Sequence, residues 1–352
     1  MQDVVAASII DVARRAGVSK STVSRVLTND GVVRPATRAR IEQAMRDLGY
    51  RPNGLARGLI QGRTRTLGLV VFDLPNPFFG LLARGVEAAA RARGYNLLIC
   101  DSAGSAVQQQ ECLTMLAERR VDGVLNAPFH SMEQELDTIR SVGLKAVLVN
   151  STAGDDTVSS VGGDNRRGGL LVTRHLLALG HRRVGFLGDL RTTASCRERL
   201  AGYRHAHKEE GIALDPALVI DDLPGLEAAQ AAVHRLLDLP HPPTALFAVN
   251  DQFAAAVLQE LIKRGCRVPG DVALVGYDDT PLAAWLTVPL TTVAQGTEEQ
   301  GRIAADLLID QIEDPDALTQ SIVLQPRLVI RQSCGARGAT VSADPPPLSA
   351  RA

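Results

Sequence analysis

SIIDVARRAGVSKSTVSRVL, residues Ser8 to Leu27, reads as two short helices joined by a tight turn. Ser8 with Asp11 three residues on is a capping-box pair, and Ile9, Val12, Ala13 and Ala16 then keep to one helical face. Gly17 permits the turn, Val18 folds back toward the core, and Ser19 caps a second helix whose Val23, Val26 and Leu27 face inward. The outward face of that second helix is Lys20, Ser21, Thr22, Ser24 and Arg25. Small Ala13, turning Gly17 and inward Val23 have the spacing of a helix-turn-helix, in which the exposed donors of helix two enter a major groove. An ordinary helical hairpin with a solvated polar face shares this local pattern, and the two readings separate only on what surrounds it.

With 352 residues, 45% of them hydrophobic, the chain is long enough for two or three domains with real cores. It has no apolar run long enough to span a membrane, and its start, MQDVVAASII, lacks the basic region and apolar stretch of an export signal, which points to a cytoplasmic protein. Cys100, Cys112, Cys196, Cys266 and Cys334 are scattered without CxxC spacing and read as reduced thiols. The histidines form no HxxxH pair, so no metal is expected. Net charge is −1, which taken alone argues against nucleic acid. Its distribution reverses that inference: residues 1–65 hold 12 Lys and Arg against 5 Asp and Glu, and the remainder 26 against 34. A basic head on an acidic body is the asymmetry expected when one module meets phosphates and the other does not.

After the two helices, Thr28 to Val33 carries a turn signal and Pro35 opens a third helix through Leu48, striped by Ile41, Ala44, Met45 and Leu48. Residues 1–50 thus make a minimal three-helix head. The stretch 51–65 is basic, contains three glycines and reads as a linker, or as a turn and a half of helix that forms only when something holds it. Gly54 and Gly58 each cost such a helix about 1 kcal/mol relative to Ala. From Thr66 the texture alternates β and α. LGLVVF, YNLLIC, DGVLNA and KAVLVN form one series; after VSSVGGD, a second series runs through RVGFLG, ALVI, TALFAV and VALVGY. The fold class is α/β, with a body of two Rossmann-like halves. Beyond PLTTVAQ, a long helix from Thr297 to Ile312 and two short strands, SIVLQ and RLVIR, are expected to carry the chain back between the halves, the crossover that an opening and closing cleft requires. Residues 66–334 are therefore the body, with one half about 66–164 and 296–325 and the other about 165–295 and 326–334. The Pro-rich stretch 335–352 reads as a disordered tail without a coiled-coil seam.

The chain resembles the lactose-repressor (LacI/GalR) family of bacterial transcription regulators over nearly its whole length. The resemblance rests on DVARRAGVSKSTVSRVL (11–27), GYRPNGLARGL (49–59), Asn76-Pro77-Phe78-Phe79, RRVDGV (119–124), Asp164-Asn165 with Gly168-Gly169, LGHRRVGFLG (179–188), Arg199 with Ala201-Gly202-Tyr203, Asn250-Asp251, VPGDVALVGYDD (268–279) and PLTTVAQ (289–295). It implies a helix-turn-helix head on a periplasmic-binding-protein-like body, working as a homodimer on a pseudo-palindromic duplex DNA operator. It also implies a small effector, a sugar or a sugar acid, polyol or nucleobase. The implied DNA contacts are Ser8, Lys20, Ser21, Thr22, Ser24 and Arg25 in the head. In the hinge they are Asn53, Ala56, Arg57 and Leu59, the leucine matching the residue that wedges between central base pairs. Arg25 is suited to a bidentate guanine contact, with a phosphate contact or solvated charge as the plainer alternative. The chain departs from the family pattern at Gly54, Gly58, Arg34, Ala294 and Gly296; the last two flank Gln295 and imply a looser crossover.

Effector candidates share one location, just past the C-terminal ends of strands, where open α/β sheets bind ligands. Phe78 and Phe79 suggest an aromatic wall, one facing the core and one the pocket; Tyr203 and Trp285 are further aromatic candidates. Arg199, by the resemblance, donates a forked pair of bonds to the effector, and Asp278 and Asn250 offer acceptors for vicinal hydroxyls. Asp164 and Ser195 are ligand candidates that also read as helix N-caps, Ser195 with Glu198 at capping-box spacing. Asp251 reads as a cap first and a ligand second. A free solute-binding protein shares the body but requires an export signal and no basic head. An enzyme is disfavoured, since no GxGxxG follows the first strand, no GxxxxGK[ST] occurs, and no nucleophile, base and acid can be grouped; no cofactor is expected.

Overall fold

The computed structural model describes residues 7–28, 33–50, 63–129, 132–152, 157–189, 193–223, 225–314 and 316–336. They fall into two compact units, one reaching from the N-terminus to Thr66 together with Arg120–Asp122, the other comprising the rest.

In the first unit, α1 (Ile9–Ala16), α2 (Lys20–Thr28) and α3 (Pro35–Asp47) close on a small core of Val12, Ala13, Ala16, Val23, Val26, Ile41 and Ala44. Both halves of the capping box form: Asp11 N donates to Ser8 Oγ at 3.4 Å and Ser8 N to Asp11 Oδ2 at 3.0 Å. The turn is a Schellman closure, with Val18 N donating to Ala13 O at 3.0 Å and Gly17 at φ 62°. Thr22 N donates to Ser19 Oγ at 3.1 Å, so Ser19 caps α2 as the sequence suggests. Pro35 begins α3 behind Arg34, whose side chain makes no capping bond.

The second unit is the α/β body. Its first sheet is built from β1 (Thr66–Val71), β2 (Asn96–Asp101), β3 (Gly123–Asn126), β4 (Ala146–Val149), β5 (Ser159–Gly163) and β11 (Ser321–Leu324). They lie in the order β11-β5-β4-β3-β1-β2. α4 (Pro77–Ala92), α5 (Ala106–Glu118), α6 (Met132–Val142) and α12 (Thr297–Glu313) accompany this sheet. The second sheet is parallel and built from β6 (Val184–Leu187), β7 (Val219–Ile220), β8 (Ala245–Ala248) and β9 (Ala273–Val275), in the order β7-β6-β8-β9. With it run α7 (Asn165–Ala178), α8 (Ala194–Glu209), α9 (Leu226–Leu237), α10 (Asp251–Lys263) and α11 (Pro281–Trp285). β10 (Thr292–Ala294) and β12 (Arg327–Val329) pair antiparallel. The chain therefore changes lobe three times: after Gly163, after Ala294, and between β11 and β12.

Three strands differ from their sequence reading. VSSVGGD forms β5, a fully buried strand between β4 and β11. Its small residues give no apolar run, and they are required: a Cβ on Gly162 would lie 2.6 Å from the Ser151 backbone. ALVI keeps only Val219–Ile220 as strand, because Pro216–Leu218 turn as a 3-10 helix capped by Asp215. VALVGY ends at Val275, after which the backbone bends through Asp278 and Asp279 at φ 110° and 51°.

Each lobe is locked by one pair of helices meeting backbone to backbone through glycine. In the first, Gly85 of α4 faces Glu298 O and Gly301 of α12 faces Leu82 O, at 1.9 and 2.2 Å from where a Cβ would stand. In the second, Gly169 of α7 faces Arg199 O and Gly202 of α8 faces Arg166 O, both at 2.1 Å. The second crossing fixes α8, and with it Arg199, at the mouth of the cleft.

Candidate functional site

Between the two lobes of the body lies a cavity of about 620 Å³. Of the residues singled out for an effector, Phe78, Phe79, Ser195, Arg199, Asn250 and Asp278 line it, and Asp164 does not. Asp164 accepts from Arg167 N at 2.9 Å as the cap of α7 and lines a separate surface concavity with Arg166 and Glu198. Its capping reading therefore takes the place of its ligand reading.

Phe78 and Phe79 are both core and wall: each is at most 3% exposed, they meet edge to face at 5.1 Å, and both border the cavity. Phe72 stands 4.8 Å from Phe79 and 4.9 Å from Phe129, and Phe253 enters from the second lobe. Five of the seven phenylalanines thus line the cleft. The other two aromatic candidates fail: Tyr203 is buried in the second lobe, donating to Val184 O at 2.7 Å, and Trp285 is 80% exposed and outside the cavity wall.

Arg199 is 5% exposed and is held from several sides within the protein. Nε donates to Asn165 Oδ1 at 2.9 Å, Nη1 to Val249 O at 2.6 Å, Nη2 stands 3.5 Å from Asp278 Oδ1, and the guanidinium lies 3.7 Å over the Tyr277 ring. The fork expected for a ligand is spent on the cavity wall, which leaves Nη2 and the Asp278 carboxylate as the reach of this pair into the cleft. Burial raises the Asp278 pKa, against the opposing pull of Arg199 and Gln295.

Ser195 does not cap α8. Thr193 does, accepting from Cys196 N at 3.3 Å, and Ser195 Oγ donates to Thr193 Oγ1 at 3.0 Å. The cap of α10 is Asn250, which accepts from Phe253 N at 2.8 Å. Asp251 is instead an internal brace, 1% exposed, accepting from Thr280 N at 2.7 Å, Thr280 Oγ1 at 3.0 Å and Thr292 Oγ1 at 2.5 Å. Burial first, then the Asp278 carboxylate, drives its pKa up. The crossover beside it is tied rather than loose: Gln295 Nε2 donates to Asp278 Oδ1 at 2.7 Å and Gln300 Nε2 to Gln295 O at 2.8 Å.

Asp73, Asp101, Phe72, Phe129, Asn150, Asp189 and Thr193 also line the cavity and were not singled out from sequence. One signal reaches most of them. Six strands of the two main sheets carry, at or just past their ends, an Asp or Asn that lines the cleft: Asp73, Asp101, Asn150, Asp189, Asn250 and Asp278. Asn150 holds φ 57°, and its buried Oδ1 meets no hydrogen-bond partner among the described residues. Behind Phe129, buried Glu135 accepts from Gln109 Nε2 at 2.6 Å, Asn126 Nδ2 at 2.8 Å and Phe129 N at 2.8 Å, fixing the loop that carries the ring.

In the head, Lys20, Ser21 and Arg25 are exposed on α2, with Thr22 and Ser24 half-buried beside them. Ser21 and Thr22 hydroxyls each lie 2.8 Å from Ser19 Oγ, forming a polar cluster at the helix start. Ser8 Oγ donates to Asp11 Oδ2 at 2.7 Å and serves its own helix. Asn53, Ala56, Arg57 and Leu59 lie outside the described residues, as do 337–352 of the tail. Among the described residues no group of His, Cys, Asp and Glu is placed to hold a metal, and no helix is long and apolar enough to cross a membrane.

Residues 8–53 match the model for bacterial regulatory proteins of the lacI family, and residues 173–334 that for a periplasmic binding protein-like domain. The HTH-type transcriptional repressor PurR of Photobacterium profundum is 35% identical over 328 residues, 93% of this chain and 98% of its own. The transcriptional regulator CelR in complex with cellobiose is 34% identical with a TM-score of 0.71, covering 93% of this chain and 99% of that one. The lac repressor dimer bound to operator and the anti-inducer ONPF reaches a TM-score of 0.83 at 25% identity, covering 94% and 99%.

Proposed function

The chain belongs to the lacI family of bacterial regulatory proteins, and on that premise we propose that it is a cytoplasmic transcriptional repressor whose grip on operator DNA is set by a small molecule in the interlobe cleft. Two heads of a homodimer place α2 in successive major grooves of a pseudo-palindromic operator. Lys20, Ser21 and Arg25 reach base edges, while Thr22 and Ser24 hold phosphates. Leu59 wedges the minor groove between paired hinges, with Asn53, Ala56 and Arg57 alongside. The effector is a hydroxyl-rich metabolite of sugar type, held between the phenylalanine wall and the polar set of Ser195, Arg199, Asn250 and Asp278.

One observation carries the reading: a cleft whose lining comes from both lobes, in a chain that also bears a helix-turn-helix. A ligand bridging both walls favours one lobe arrangement over the other, and only such differential contact shifts an equilibrium. Sugar binding is supported by the cellobiose complex of the CelR relative, and operator binding by the lac repressor dimer. The test is a gel shift on duplexes selected by the protein from a random-sequence pool, repeated across salt concentrations and with candidate ligands. Half-site symmetry in the selected duplexes, a steep loss of affinity with salt and a ligand-dependent shift are expected. Recovery of no sequence preference overturns the reading.

A further inference from the structure

Resting on the reading of the chain as an operator-binding dimer, we infer that Asp122 fixes where the DNA-binding linker leaves the body, and thereby sets the half-site spacing that the protein accepts. β1 and β3 pair in parallel from Leu67 opposite Gly123. One step earlier Asp122 N donates to Thr66 O at 2.8 Å, and beyond this rung the Asp122 side chain takes the place of a strand. Its Oδ1 accepts from Thr64 N and its Oδ2 from Arg65 N, both at 2.8 Å, so one carboxylate holds two consecutive backbone N–H groups. Thr64 Oγ1 donates to Arg120 O at 2.7 Å and lies 3.2 Å from Asp122 Oδ1. Arg120–Asp122 accordingly group with the N-terminal unit, although β3 follows them directly.

Arg65 and Arg120, one on each chain of this junction, hold φ 49° and 57°, left-handed backbone that a non-glycine residue keeps only where the surrounding bonds over-determine it. The mount is firm. Gly123, next after Asp122, packs under α12 so closely that a Cβ there would stand 2.8 Å from Leu308 Cδ1 and 3.1 Å from Ile312 Cδ1. Backbone N–H groups bonded to a carboxylate are held about twice as strongly as by a neutral acceptor. With Thr64 and Arg65 pinned, the tether between head and body is the stretch 51–63 alone. Freeing both residues lengthens it by about 7 Å per head, at about 3.5 Å per extended residue. That is about the rise of two base pairs, at about 3.4 Å each. Tether length sets the effective concentration of the second head at its half-site, so a longer tether lowers affinity while it spans more spacings. Asp122 is thus a positioning residue, acting on DNA through the linker it holds.

The experiment uses the full chain and the duplex that the wild type selects from a random-sequence pool. Gel-shift affinity is measured for that duplex and for the same duplex with two base pairs inserted between its half-sites. Asp122→Asn keeps the side chain's shape but turns an amide NH2 against one of the two backbone N–H donors. Thr64→Ala, a lighter change ahead of β1, removes the hydroxyl bond to Arg120 O and carries the test if the first variant does not fold. Wild type is expected to lose about a hundredfold on the lengthened duplex. Asp122→Asn should bind the selected duplex about tenfold more weakly and lose only about tenfold more on lengthening, with Thr64→Ala moving both values the same way by about threefold. A variant that is merely less stable weakens both duplexes equally, and a spacing ratio equal to that of wild type in the folded variants overturns the inference. Selection of no two-fold symmetric duplex by the wild type refutes the operator reading itself, and the inference falls with it.

Discussion

Arg199 has four partners and 5% exposure, so its role is tested best by a change that keeps the charge. Arg199→Lys removes the planar fork and should weaken effector binding by about tenfold or more, since hydrogen bonds to charged groups contribute about 1.5–3 kcal/mol. Operator affinity in the absence of effector should stay within about twofold. An unaltered calorimetric titration would remove Arg199 from the site. Asp251 makes a prediction in pH. A carboxyl whose pKa is raised by folding takes up a proton on folding, so the folded state loses ground as pH climbs from the ordinary 3.8 toward about 8. His175, His181 and His207, whose pKa values burial lowers, push the other way and are common to wild type and variant. The melting temperature of Asp251→Asn should therefore fall less over that range than that of wild type, as followed by circular dichroism. At this scale the sequence shows which residues stand at strand ends, and hence Asn250 and Asp278. It does not show which hydroxyl caps a helix: Thr193 takes the place of Ser195 because the first turn of α8 begins two residues earlier than its apolar spacing suggests.

Among elements, the glycine-mediated crossings set the positions of the walls. Gly202→Ala puts a methyl group 2.1 Å from Arg166 O, a backbone atom with no freedom to move aside. The α7–α8 pair must separate, and a loss of about 1–3 kcal/mol from overpacking follows, together with displacement of Arg199 and weakened effector binding. Chemical denaturation measures the first and titration the second; a variant of wild-type stability would show that the crossing is slack. Helices with caps and apolar stripes were legible, α1 to the residue, because Ser8, Asp11 and Gly17 declare both ends. β5 was not, since a strand buried on both faces against close backbone is built of Ser and Gly, the residues that elsewhere mark loops. The bend after Val275 was equally hidden, because it depends on Asp251 and Thr292, which lie far from it in sequence.

For the whole molecule, the family reading joins a DNA grip to a ligand cleft through the stretch 51–65. Leu59→Ala should lower operator affinity by removing the wedge, while the titration of the cleft stays the same. If both fall together, residue 59 belongs to the body's folding and not to the DNA contact. The threefold passage between lobes has a consequence for how the protein is born. The first lobe's core draws Ala304, Ala305, Leu308, Ile309, Ile312 and Leu324 from beyond all of the second lobe but its last strand and the turn after it. On the ribosome its opening strands must wait, with one flank of β5 unzipped, until some hundred and sixty further residues have emerged. The nascent chain is then a sticky template for its neighbours, and a message cut short before Ser321 yields a sheet with an orphaned border, fit for inclusion bodies.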